Sequence, residues 1–142
     1  EAAINTGNII HQLLSEINTT GDLQHILYKY VQKGIITNQE QKDYQLKIES
    51  IINHPLLREC FSAKNNNYNE IDIVSKGKVY RPDKIVINNE KNITVIDYKT
   101  GKPHSSHDIQ IRTYASLFEE MGYSDIKTIL VYISDDILVK SI

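Results

Sequence analysis

Ile93-Thr94-Val95-Ile96-Asp97-Tyr98-Lys99-Thr100-Gly101 is the stretch on which the fold of this chain turns. Its β-branched run predicts a strand over residues 93–99. Side chains alternate along a strand, so Asp97 and Lys99 share one face, and Ile96 and Tyr98 share the other. An Asp and a Lys are an odd choice for such an apolar strand, because burying charge is costly unless it is paired or metal-bound. Upstream, Tyr68–Val74 and Val79–Asn88 also predict strands. Ser75-Lys76-Gly77-Lys78 and Asn88–Asn92 are the turns between the three. Short polar turns make this an antiparallel meander, and its pairing can bring Asp83, in Arg81-Pro82-Asp83, beside Asp97.

Outward from the meander, Ser105 or Ser106 can cap a helix from about His107 to Met121, closed by Gly122. Lys127–Ile133 returns as a strand, and Asp135-Asp136 turns it into a last one, Ile137–Ile142. The N-terminal part reads as helices. Ile9, Ile10, Leu13, Leu14 and Ile17 form an apolar stripe over about 7–18. Asp22 can cap a second helix running through Lys33, with Gly34 as its stop. Thr37-Asn38-Gln39-Glu40 is a capping box for a helix to about Asn53. Pro55 ends it, and a helical turn follows at Leu56–Phe61. The expectation is one domain over 1–142, with a helical part to about 62 and an α/β core from about 63 in which helices flank a mixed sheet.

A chain of 142 residues suits a single core. It opens on Glu1-Ala2-Ala3-Ile4, with no initiator Met and no leader pattern, and reads as a piece of something longer. No apolar run approaches the roughly 18 residues of a membrane span. Cys60 is the only cysteine, which excludes an internal disulfide, an iron–sulfur cluster and a Cys-rich zinc site, and fits a reducing cytoplasm. The net charge is -2, yet Lys76–Arg112 holds eight basic and four acidic residues, and the rest holds eight basic and fourteen acidic. The cationic excess therefore sits where the chemistry is expected, although a solvated basic hairpin would give the same count.

Asp83 and Asp97, held close, would repel each other and raise one pKa unless a cation sat between them. Hard oxygen donors of this kind suit Mg²⁺ or Mn²⁺. Pro82-Asp83 followed by Asp97-Tyr98-Lys99 resembles the PD-(D/E)xK nuclease signature. The fuller series is Gly7-Asn8-Ile9-Ile10-His11, Glu70, Asp83, Asp97-Tyr98-Lys99-Thr100-Gly101 and Gln110-x-x-x-Tyr114. It resembles the RecB-type branch, found as the nuclease domains of RecBCD- and AddAB-like machines and of some UvrD-like helicases. The likeness spans about residues 6–133.

The resemblance implies a restriction-endonuclease-like core and an exonuclease-like DNA hydrolase. It would act in double-strand break repair and recombination, on single strands fed by a helicase motor in the same chain or complex. Asp83, Asp97, the Tyr98 carbonyl and His11 would hold the metal, and Lys99 would position or activate the attacking water. Glu70 would support the site or reach a second metal, with a solvent-facing strand residue as the alternative. Gln110 and Tyr114, four apart on one helical face, would touch DNA or brace the site. Two other classes stay open: a catalytically silent DNA-binding scaffold, and a stand-alone endonuclease. Thr100-Gly101-Lys102 lacks the first glycine of a phosphate-binding loop, so this piece is not an ATPase. His104 and His107, three apart in a turn and remote in sequence from Cys60, do not make a zinc site. Most of the nine tyrosines fall on apolar periodic positions and read as core.

Overall fold

The structure, a computed structural model, describes residues 2–142, with side chains from residue 5 onward. The reading of Glu1-Ala2-Ala3-Ile4 as lacking a leader lies outside the described side chains. The chain divides into two compact units, residues 1–63 and 64–142. None of the described helices is long and apolar enough to cross a membrane.

The first unit is helical, with α1 (Ala2–Ser15), α2 (Leu23–Gln32), α3 (Asn38–Ile52) and 3-10 turns at Thr20–Asp22 and Arg58–Phe61. Ile9, Ile10, Leu13, Leu14 and Ile17 are all buried, as their spacing requires. Thr37 and Glu40 form the expected capping box: Thr37 Oγ1 accepts from the Glu40 amide at 3.1 Å, and Glu40 Oε1 from the Thr37 amide at 2.9 Å. Asp22 departs from expectation. Its carboxylate accepts from the amides of Asn18 and Thr19, at 2.9 and 3.0 Å, and so closes the loop before α2 without capping α2 itself.

The second unit carries a five-stranded sheet in the order β1-β4-β5-β6-β7: β1 (Asn66–Asn69), β4 (Lys84–Ile87), β5 (Ile93–Thr100), β6 (Ile126–Ile133) and β7 (Ile137–Ser141). β5 and β6 are parallel and joined through α4 (Ser105–Glu120), which packs on both; the other pairings are antiparallel. This is the expected mixed sheet with flanking helices. Ile85, Val95 and Leu130 on the α4 face close on Ile111, Tyr114 and Phe118. The opposite face is buried as well, at Val86, Ile96, Val131 and Ile133. Burial on both faces explains why β6 reads as a continuous apolar run.

The first hairpin of the meander is not two long strands. β1 stops at Asn69, a separate hairpin β2 (Ile73–Ser75) and β3 (Lys78–Tyr80) intervenes, and β4 starts only at Lys84. Two local causes turn the hairpin out of the sheet. Glu70 takes a left-handed φ of 53°, which bends the chain after β1. Pro82 has no amide hydrogen to continue a ladder into β4. The start of α4 also differs from expectation: His104 is the cap, its Nδ1 accepting from the Ser106 amide at 3.1 Å, and both serines lie inside the helix.

Candidate active site

The backbone ladder between β4 and β5 ends at the pair Lys84–Ile96. The next rung is made of side chains. The Asp83 amide donates to Asp97 Oδ1 at 3.0 Å, and the Tyr98 amide donates to Asp83 Oδ2 at 2.7 Å. Each aspartate thus takes the place of a ladder carbonyl, and the two carboxyl groups are locked together where β4 peels away from β5. β5 itself continues to Thr100, held on its other side by β6.

Lys99 lies one alternation further along the same face as Asp97. Its ammonium stands 3.0 Å from Asp97 Oδ2 and donates to Gln110 Oε1 on α4 at 2.5 Å. Tyr114, one turn beyond Gln110, is buried. Burial first, and then the negative charges of Asp97 and Asp83, push its phenol up to about 12, against the hydrogen bond from Gln110. Gln110 and Tyr114 therefore line the same side of the site as the carboxylates.

Asp97 is 3% exposed. Burial, and then the Asp83 charge, raise its carboxyl from 3.8 to about 6, with Lys99 and the Asp83 amide pulling the other way. A buried carboxylate beside a second one is short of positive charge, and one lysine does not restore the balance. The donors present fit Mg²⁺ or Mn²⁺, which take oxygen ligands and can be held by one or two carboxylates with several waters retained. Among the described residues no three His, Cys, Asp or Glu stand together as a preformed metal cage.

Glu70 is exposed. Its backbone reaches the site, because the Glu70 amide donates to the Asp83 carbonyl at 3.0 Å. Its side-chain charge is felt by Arg81, whose guanidinium pairs with Asp72 at 2.6 and 3.2 Å. His11 sits half-buried on α1, in the N-terminal unit.

Two groups escaped sequence reasoning. His107 Nδ1 lies 2.9 Å from the Tyr132 hydroxyl, and Tyr132 is the β6 partner of Lys99. Burial, and then the charges of Lys99 and His104, hold the His107 imidazole below its ordinary range. The only signal was negative, a histidine pair with no zinc partner, and contact across 25 residues of sequence has no local signature. Lys84, next to Asp83 but on the opposite face, is fully buried and donates to Asn69 Oδ1 at 3.2 Å. Its place directly after Asp83 in a strand was the available clue. A concavity of about 760 Å³ at the far end of the sheet, bounded by the Asn88–Asn92 turn and Met121–Ser124, includes none of these groups.

No curated protein matches the chain. A solved structure titled "Crystal structure of SSO0001" is similar at 25% identity over 82% of this chain, with a TM-score of 0.40. The chain spans 61% of that structure's length. The model of the PD-(D/E)XK nuclease superfamily matches residues 1–140, nearly end to end. With Asp83, Asp97 and Lys99 gathered at the end of β4 and β5, this chain belongs to the PD-(D/E)XK nuclease superfamily.

Proposed function

We propose that the domain hydrolyses DNA phosphodiester bonds at Asp83, Asp97 and Lys99 with Mg²⁺ or Mn²⁺. The superfamily is generally one of metal-dependent nucleases using these ions. The observation that carries the reading is the reciprocal Asp83–Asp97 rung with Lys99 against it. When bound, the metal lowers the pKa of water and offsets phosphate charge. The Asp83 and Asp97 carboxylates and the Tyr98 carbonyl would hold it.

Lys99 supplies fixed positive charge where negative charge develops on the phosphate, and Gln110 keeps its ammonium from swinging away. Tyr114, whose phenol burial and the two aspartates push up to about 12, hydrogen-bonds with Gln110 and adds no competing charge beside the carboxylates. Glu70 positions Asp83 through its amide. His11 as a nitrogen ligand rests on the Gly7–His11 motif of the RecB-type resemblance. That resemblance also supports exonuclease-like action on single strands, a helicase motor as partner, and a role in recombination and break repair.

Two measurements test this. Calorimetric Mn²⁺ titration should show binding by wild type, loss in Asp83→Ala and weakening in His11→Ala; an unchanged His11→Ala isotherm removes His11 from the ligands. Closed plasmid circles, linear duplex and single strands, offered together, should be degraded only where ends exist. Rapid cutting of closed circles would establish an endonuclease instead.

A further inference from the structure

The β2–β3 hairpin has no part in the chemistry described above, yet only Arg81 and Pro82 separate it from Asp83. Its base is fixed three ways. The Glu70 amide holds the Asp83 carbonyl at 3.0 Å, Asp72 grips Arg81 at 2.6 and 3.2 Å, and Ile73 is buried in the cluster shared with Ile85, Ile111 and Tyr114. That cluster lies on the sheet face that carries Asp97 and Lys99. Side chains alternate, so Lys78 shares the inward face of Tyr80, the register partner of Ile73.

The exposed part has an unusual composition. No acidic residue occurs between Asp72 and Asp83, whereas Lys76 and Lys78 are both exposed. The central turn residues, Lys76 and Gly77, have φ of 50° and 77°, the left-handed pair of a type I′ turn. Asn, Asp or Gly suit the first of these positions, and a lysine there is held against backbone preference. Val74 and Val79, opposite each other in register, are 70% and 64% exposed.

We infer that this hairpin is a substrate arm: Lys76 and Lys78 hold backbone phosphates of the single DNA strand being cut. The inference builds on the nuclease reading. Charge complementarity selects the occupant, since cationic side chains on an arm that leads into a phosphodiester-cutting site match the phosphates of a strand extending from that site. From Asp83 to Lys78 is at most about 16 Å of extended chain, or about five nucleotides of stacked strand.

The test is fluorescence-anisotropy binding of a labelled oligodeoxythymidine across a salt series, in a cleavage-dead Asp97→Asn background. Lys76→Asn/Lys78→Thr should reduce the slope of log affinity against log salt by about 1.4, about 0.7 for each phosphate contact on a single strand. Between about 50 and about 200 mM salt the parent should then lose about sevenfold more affinity than this variant. Asn suits the left-handed position and Thr suits a strand, so the variant should melt no lower than its parent. Lys76→Arg/Lys78→Arg should keep the parent slope. Val74→Thr/Val79→Thr, on the hairpin face opposite Lys78, should leave the slope unchanged. An unchanged slope in Lys76→Asn/Lys78→Thr overturns the arm. Cleavage by the otherwise wild-type protein is read separately: cleavage with an unchanged slope refutes only the hairpin, whereas a protein that neither cleaves nor binds Mn²⁺ refutes the reading beneath it.

Discussion

Asp97→Asn should make the metal-free domain more stable while it abolishes cleavage. In the folded protein the Asp97 carboxyl titrates at about 6 in place of 3.8, because it is buried next to Asp83. Between those two values the folded state keeps a proton that the unfolded chain has released. Stability therefore falls as pH rises through this window, and the loss is complete above about 6. At about 1.4 kcal/mol per pKa unit, the ionised carboxylate costs about 3 kcal/mol at neutral pH. Asparagine keeps the oxygen that accepts from the Asp83 amide and removes the buried charge. Its amide nitrogen then faces the Lys99 ammonium, whose side chain is 20% exposed and can turn to water. The expected net gain is about 2–3 kcal/mol, or about 6–10 °C in melting temperature. The assay is thermal unfolding in EDTA at pH 7.5 and at pH 4.5, with and without Mn²⁺. The gap between variant and wild type should narrow at the lower pH. Mn²⁺ at about a hundred times its dissociation constant should stabilise wild type by about 2.7 kcal/mol and leave the variant unmoved. A variant that melts below wild type at pH 7.5 in EDTA would refute the reasoning, because Asp97 would then be a structural anchor and not a strained metal ligand.

Three further outcomes are expected. Lys99→Ala should lower the cleavage rate about 10²–10³-fold while Mn²⁺ binding persists, measured by single turnover beside calorimetry. Gln110→Ala should cost less, about tenfold, because it frees the Lys99 ammonium without removing it. Leu130→Ala, in the center of β6 and fully buried, should destabilise the domain by about 2–5 kcal/mol in urea unfolding.

The parts of the fold legible in the sequence were those set by local rules. The apolar run of β6, the Thr37–Glu40 box and the stripe of α1 each depend on residues within a few positions of one another. The Asp83–Asp97 encounter was also legible, because a hairpin register converts a spacing of 14 into a contact. What escaped was nonlocal or a competition between near-equal options. The β2–β3 hairpin leaves the sheet through the Asp72–Arg81 clamp and the left-handed Glu70, and alternation of apolar residues reports neither. His104 outcompeted two serines for the α4 cap, and Asp22 chose the loop behind it over the helix ahead. Lys84 was marked only by its place directly after Asp83, and its neighbours Ile85 and Val86 read equally well with a lysine at the strand's edge. The His107–Tyr132 pair joins α4 to β6 and exists only once both are packed.

Asp83, Asp97 and Lys99 are the proposed metal-dependent phosphodiesterase site. Its most direct test is degradation of end-labelled single-stranded DNA with Mn²⁺, Mg²⁺ or EDTA, run beside Asp97→Asn. Cleavage with either metal, none in EDTA and none in the variant is the predicted result. Cleavage that persists in EDTA or in Asp97→Asn, or a wild type that neither cleaves nor binds Mn²⁺, would contradict it.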